Sequence, residues 1–137
     1  MSEQKIALIT GANRGIGFET ARQLGQKGIK VLLGARSEEK GREAESKLQA
    51  EGLDAEFILL DIDDEKTHAA AASRVEEKYG RLDILVNNAG IYLDEQENGA
   101  YVPPSRTSLE IFRKTFETNF FNTIAVTQAF LPLVKKS

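Results

Sequence analysis

Three glycines and an arginine cluster in "TGANRGIG", residues 10–17, directly behind the apolar run "KIALI". Glycine at the end of a buried strand indicates a sharp turn or a close approach to a ligand. A helix that starts there presents free N–H groups and a positive dipole end, which favour a phosphate. We therefore predict an anion-binding turn in which Gly11 makes the turn, Gly15 allows the approach and Gly17 lets the helix pack on the sheet.

Three other chemically distinctive segments also follow apolar runs. Arg36 follows the second run, Asp61 the third, and "NNAG", residues 87–90, the fourth. The carboxyl ends of parallel strands share one rim of a sheet, where open α/β sheets bind their ligands. We therefore expect all four segments to form one ligand site. A bare glycine turn is the alternative for "TGANRGIG" taken alone.

The elements that position these segments alternate along the chain. Residues 5–9, 29–35, 55–60 and 83–86 are predicted strands, and residues 16–27 have helical spacing. The remaining helices are predicted from their boundary residues, namely Ser37 to Gly52, the acids of "DIDDE" to Tyr79 and Gly80, and a long stretch opened by Thr107 and Glu110. This alternation predicts a doubly wound, parallel α/β sheet with strand order 3-2-1-4, in one domain over residues 1–137.

Composition limits the classes of partner. The chain has 137 residues, of which 41% are hydrophobic and 28% charged, no cysteine, and a net charge of −3. It contains no apolar run near the ~20 residues of a membrane span. Absence of cysteine fits a reducing compartment, and the mixed charge disfavours nucleic-acid and membrane surfaces. These features predict a cytoplasmic protein with a small-molecule partner.

The motifs resemble those of the short-chain dehydrogenases/reductases. "TGANRGIG" resembles the family's T-G-x-x-x-G-x-G, while "LDIDDE", "LDILVNNAGIYL" and "TNFFNT" resemble its carbonyl-reductase branch most. The resemblance implies the Rossmann-type cofactor-binding part of an oxidoreductase that transfers hydride between a nicotinamide and a carbonyl or alcohol. It implies three groups of cofactor contacts: Asn13, Arg14 and Ile16 at the phosphates, Asp61 and Ile62 at the adenine, and Asn88, Ala89 and Gly90 at the ribose and nicotinamide.

The choice of cofactor can be argued from charge. A site for NAD carries a carboxylate at the end of the second strand, whereas a 2′-phosphate needs a cation there. Arg36 occupies that position, and Arg14 can approach it from the glycine turn. Two guanidinium groups around one phosphate form a good anion site. We therefore predict NADP(H) over NAD(H), against the alternative that Arg36 is a surface charge.

Asn119 is the candidate catalytic residue. Helical spacing predicts that its amide lies among core residues, on the stripe of Phe112, Phe116, Thr123, Val126 and Phe130. A satisfied core amide is the alternative role. In the family that the chain resembles, the matching Asn holds a water in a proton relay to a catalytic Lys.

The family's catalytic Ser and Tyr-x-x-x-Lys find no match. Four positions after the three tyrosines, Tyr79, Tyr92 and Tyr101, stand Asp83, Gln96 and Ser105. We expect a chain truncated before the fifth strand and inactive in isolation, or alternatively a non-catalytic nucleotide-binding or interaction module. An open sheet edge and the last helix predict a homo-oligomer.

The remaining candidates are assigned ordinary roles. The single histidine, His68, is expected to be exposed, without a partner spaced for a metal. Asp63 and Asp64 could suggest Mg²⁺, but helix capping explains them more simply, and no metal site is predicted. The segment 91–106 either shapes a substrate pocket or serves as a mobile connection.

Overall fold

Four parallel strands form the centre of the computed structural model, which describes residues 3–90, 103–106 and 108–137. They are β1 (Ile6–Thr10), β2 (Lys30–Ala35), β3 (Ala55–Leu59) and β4 (Ile84–Val86). Their order in the sheet is β3-β2-β1-β4, and all three pairings are parallel. The predicted order 3-2-1-4 is confirmed.

Five α-helices occur in the part of the chain that the structure describes. They are α1 (Gly15–Gln26), α2 (Glu38–Ala50), α3 (Glu65–Tyr79), α4 (Leu109–Phe116) and α5 (Asn122–Val134). A 3₁₀ turn, Pro104–Arg106, precedes α4, and a π-helical segment, Glu117–Phe121, joins α4 to α5. Across residues 3–90, 103–106 and 108–137, no helix combines the length and apolar character that a membrane span needs.

The helices divide between the two faces of the sheet. Along β1, Ala7 and Ile9 pack in the cluster that includes residues of α1 and α2, whereas Ile6 and Leu8 pack in the cluster with α3 and α5. Successive side chains of a strand point to opposite faces. A strand that is covered on both faces must therefore be apolar throughout, as the run "KIALI" is after its lysine.

Side chains cap most helix starts as expected. The Ser37 hydroxyl accepts from the Lys40 N–H, and the Asp64 carboxylate accepts from the Lys66 N–H. At α4, however, the N-cap is Ser108, whose hydroxyl accepts from the Ile111 N–H at 3.3 Å. The predicted start at Thr107 is therefore wrong by one position, and Thr107 itself lies outside the described residues.

The predicted long last helix is interrupted, and its apolar stripe is not continuous. Val126 and Phe130 are fully buried, whereas Phe116 is 62% exposed and α4 buries no side chain. A π-helical turn holds more residues than an α-helical turn, so the 3.6-residue spacing does not carry across Glu117–Phe121. The prediction of one stripe from Phe112 to Phe130 is therefore wrong.

A charged cluster joins the edge strand β3 to α3. The Glu56 carboxylate accepts from the Tyr79 hydroxyl at 2.6 Å, from Lys78 Nζ at 2.9 Å and from Arg74 Nη2 at 3.0 Å. Burial raises the pKa of Glu56, but the bonds from Tyr79 and Lys78 outweigh it and lower the pKa from 4.5 to about 2. The ionised carboxylate therefore stabilises the folded chain.

We expect Glu56→Gln to lower the free energy of unfolding at pH 7 by about 1–3 kcal/mol, because bonds to a charged acceptor are lost. A depressed pKa contributes stability above the unfolded value of 4.5 and loses it as pH falls towards 2. The gap between variant and wild type should therefore close over that interval. Urea unfolding at a series of pH values measures it, with the exposed Glu77→Gln as control. A gap that persists at pH 2 would contradict the assignment.

Candidate functional site

A cavity of about 330 Å³ lies at the carboxyl ends of the strands, where the sequence predicts a ligand site. Its wall contains most of the predicted cofactor residues together with Leu60, Asp63 and Thr118, which the sequence analysis did not select. The full wall comprises Gly11, Asn13, Arg14, Gly15, Arg36, Leu60, Asp61, Ile62, Asp63, Asn88, Ala89, Gly90 and Thr118. Three predicted site residues, Ile16, Gly17 and Asn119, are not part of that wall.

The glycine turn depends on the absence of side chains. Gly11 has a φ of +62° and Gly15 a φ of +59°, in the left-handed region that favours glycine. A Cβ on Gly11 would lie 2.9 Å from the Ala89 Cα, and one on Gly17 would collide with the Asn88 amide. The turn after β1 and the segment after β4 therefore pack directly on each other. Gly17 packs α1 against these two segments.

Ile16 lies in the first turn of α1 and is not covered. Its side chain is 80% exposed, whereas Ala21, which helical spacing groups with it on one side of α1, is buried. The first turn of a helix projects past the edge of the sheet, so a residue there can match the apolar spacing without being covered. Its place beside cofactor phosphates stays a prediction.

The N-terminus of α1 lacks the side-chain cap and the acidic residue that the N-termini of α2, α3 and α4 each have. Its N-cap, Arg14, makes no side-chain cap bond, and its first turn has no acidic residue. The other three helices each have a Ser or Asp cap and at least one Glu in the first turn. The positive end of the α1 dipole is thus left for an external anion.

Two arginines border this helix end. Arg14 and Arg36 are both exposed and both line the cavity. Within the described part of the chain, neither forms a salt bridge or a side-chain hydrogen bond. Two uncompensated guanidinium groups on one cavity wall form a site for a dianion such as a phosphate.

Thr10 fixes the segment after β4. Its hydroxyl oxygen, buried with the rest of the residue, accepts from the Asn88 N–H at 3.0 Å and the Ala89 N–H at 2.9 Å. The Asn88 side chain donates to the Gly11 carbonyl at 3.1 Å, and the Asn87 side chain donates to the Thr127 hydroxyl on α5. Thr10 was not predicted as a site residue, although its place as the polar end of an apolar strand is the signal that indicates such a role.

His68 is buried beside Asp61. Only 3% of it is exposed, so the prediction of an exposed histidine is wrong. His68 Nε2 lies 2.9 Å from the Asp61 carbonyl oxygen, which can only accept, so Nε2 carries the proton. The Thr67 hydroxyl accepts from the Asp61 N–H at 2.9 Å. The signal was present in α3, because His68 stands three and seven residues before the buried Ala71 and Val75.

Asp63 links the cavity to the π-helical segment. Its Oδ1 accepts from the Thr118 hydroxyl at 2.8 Å and from the Asn122 side chain at 2.7 Å. The sequence analysis assigned Asp63 only to capping or, as an alternative, to Mg²⁺. No cluster of three His, Cys, Asp or Glu side chains that could hold a metal occurs among the described residues.

Asn119 lies beside the segment after β4 and is exposed, so its predicted burial is wrong. A Cβ on Gly90 would stand 3.1 Å from the Asn119 Oδ1. The π-helical turn thus brings this amide to the carboxyl end of β4, next to the cavity wall. Gly90 lacks the side chain that would crowd it.

The short chain dehydrogenase family model matches residues 5–137. The chain belongs to that family. This short-chain dehydrogenase is 44% identical over 135 residues to carbonyl reductase (NADPH) 1 of Mus musculus, covering 98% of the chain and 46% of the relative. Carbonyl reductases from Bos taurus and Rattus norvegicus are similar to it as well.

Solved structures support the same relationship. A variant of actinorhodin polyketide ketoreductase with NADPH superposes at a TM-score of 0.80 with 34% identity, covering 98% of this chain and 49% of that one. Menthone neomenthol reductase from Mentha piperita gives a TM-score of 0.85 with 30% identity, covering 99% and 58%. The short-chain dehydrogenase chain thus spans about half the length of the relatives it matches.

Proposed function

We propose that the chain is the cofactor-binding part of an NADP(H)-dependent oxidoreductase that transfers hydride between the nicotinamide and a small carbonyl or alcohol substrate. One observation carries the proposal: the glycine turn, Asp61 and two arginines that have no partner among the described residues share a single cavity wall. The NADPH in the names of relatives agrees with it. Because no Tyr-x-x-x-Lys occurs in the 137 residues, we propose cofactor binding without turnover for this chain alone.

The residues present fit the charge and shape of the dinucleotide. The N-terminus of α1, which has no side-chain cap and no acidic residue in its first turn, would hold the pyrophosphate. Arg14 and Arg36 would hold the 2′-phosphate through charged hydrogen bonds. Asp61 and Ile62, which follow the neighbouring strand β3 on the same cavity wall, would contact the adenine.

The segment after β4 is proposed to bind the nicotinamide end of the cofactor. Asn88, Ala89 and Gly90, which line the cavity, would hold the ribose and nicotinamide, and the nicotinamide would supply the hydride. Asn119 is proposed to hold a water in a proton relay to a catalytic Lys, as the matching Asn does in the family. The exposed amide beside Gly90, on a π-helical segment, supports this role, because such segments frequently occur at functional sites.

The test is a comparison of cofactors on the wild-type chain. We expect NADPH to bind about 10- to 150-fold more tightly than NADH, since charged hydrogen bonds contribute about 1.5–3 kcal/mol. Nicotinamide fluorescence measures both affinities, and competition by 2′,5′-ADP but not 5′-ADP locates the preference at the 2′-phosphate. Equal affinities for NADPH and NADH would contradict the proposal.

We also propose that the chain self-associates in the cytoplasm. The last helices carry exposed aromatic side chains, with Phe116 at 62%, Phe120 at 55% and Phe121 at 56%. The rings of Phe120 and Phe121 pack edge to face with centroids 5.2 Å apart, and exposed apolar surface of this kind favours burial against a second copy. Light scattering over a dilution series should show dimers or larger species, and a folded monomer at micromolar concentration would contradict self-association.

A further inference from the structure

One carboxylate oxygen holds both ends of the π-helical segment. Thr118 and Asn122 flank Asn119 in sequence, and both donate to the same Asp63 Oδ1, at 2.8 Å and 2.7 Å. Thr118 is 2% exposed, so its hydroxyl is desolvated and depends on this acceptor. The two bonds therefore fix the turn in which Asn119 lies.

Apolar packing does little to hold this turn. Helix α4 buries no side chain, and the buried residues of α5 begin at Val126. Phe120 and Phe121 within the turn are more than half exposed. Polar contacts therefore help to set where the segment sits relative to the sheet, and among the described contacts those of Thr118 and Asn122 to Asp63 reach the cavity wall.

Asp63 is itself positioned by the loop at the adenine end of the cavity. Its N–H donates to the Asp61 Oδ1 at 2.9 Å, while the Asp61 carbonyl is held by His68. Asp61 and Asp63 thus belong to one hydrogen-bonded turn. Asn119, the residue after Thr118, places its Oδ1 against Gly90 of the cavity wall.

We propose that Asp63 is a positioning residue that sets the place of Asn119 and couples it to occupancy of the adenine end of the cavity. The carboxylate holds the π-helical segment through Thr118 and Asn122, and a ligand that orders Asp61 orders Asp63 with it. The coupling to the cofactor rests on the proposed function, whereas the positioning of Asn119 does not.

The experiment follows the side-chain amide of Asn119 by NMR in the full 137-residue chain, with the signal assigned by its loss in Asn119→Ser. Asp63→Ala and Thr118→Val should both shift this signal. They should also speed backbone hydrogen exchange in Glu117–Phe121 about tenfold, because the bonds that close the turn are lost. Asp63→Asn keeps an acceptor oxygen and should restore most of the wild-type behaviour. Glu65→Gln, an exposed acid in the first turn of α3, is the control for charge.

The coupling between cofactor binding and Asn119 is measured by adding NADPH and following the Asn119 amide signal. In the wild type NADPH should move the Asn119 signal, and in Asp63→Ala that response should be lost. If Asp63→Ala does not fold, the isosteric Thr118→Val still decides the positioning. An Asn119 signal that is unchanged in folded Thr118→Val, or equal effects of Asp63→Asn and Asp63→Ala, would overturn the proposal. Failure of the wild type to bind NADPH would contradict the proposed function and the coupling, and leave the positioning to be judged on the free chain.

Discussion

Arg36→Asp is expected to weaken NADPH binding about 10- to 150-fold or more and to leave NADH binding unchanged or improved. The guanidinium at the end of β2 is proposed to bind the 2′-phosphate, and it has no ion-pair partner within the described residues. Asp in its place repels that phosphate but can accept from the 2′-hydroxyl of NADH. Fluorescence titration of both cofactors measures the reversal.

One control separates a local contact from long-range charge. Lys5→Asp changes the net charge equally at the amino end of β1, away from the cavity, and should affect both cofactors little. Because Arg36 is exposed, its contribution should shrink as salt is raised. A Lys5→Asp effect as large as that of Arg36→Asp would mean that net charge, and not this side chain, selects the cofactor.

Phe130→Ala should lower the free energy of unfolding by about 3–5 kcal/mol, the range for a buried phenylalanine. Phe130 is fully buried on α5, in the cluster with Leu8, Val75 and Leu82. A loss of this size is a large fraction of the stability of a small domain. Guanidinium or thermal unfolding of the purified variants measures it.

Leu131→Ala is the matched control, because Leu131 is the next residue on the same helix and is 42% exposed. Its loss should be at most about 1 kcal/mol. The pair also tests the π-helical segment, which sets the face that α5 turns towards the sheet. Equal losses of stability for the two variants would show that α5 turns a different face towards the sheet.

The sequence alone predicted the order of the sheet and most of the cavity wall. Both depend on local signals, namely strand-length apolar runs, glycines with positive φ such as Gly11, and polar residues placed directly after strands. Alternating strands and helices leave few chain topologies. Once the strands are parallel, their carboxyl ends must meet, so the convergence of Arg36 and Asp61 followed without knowledge of any tertiary contact.

The family relationship was also present in the sequence, since "TGANRGIG", Asp61 and "NNAG" occur in order along the chain. The backbone geometry explains why these residues suit the site. Gly11 and Gly17 leave no room for a Cβ, and Asn88 ties the last segment to the first. A motif of this kind can be read from sequence because the constraint acts on residue type.

Only the tertiary structure decided the surroundings of Asn119, His68 and Asp63. A periodic pattern assumes one helical repeat, and the π-helical turn at Glu117–Phe121 breaks that repeat, which moved Asn119 out of the core. His68 is buried because the Asp61 carbonyl offers it an acceptor, and Asp63 is engaged because Thr118, 55 residues away in sequence, reaches it. Such pairings depend on which distant polar groups meet, and no local spacing encodes that meeting.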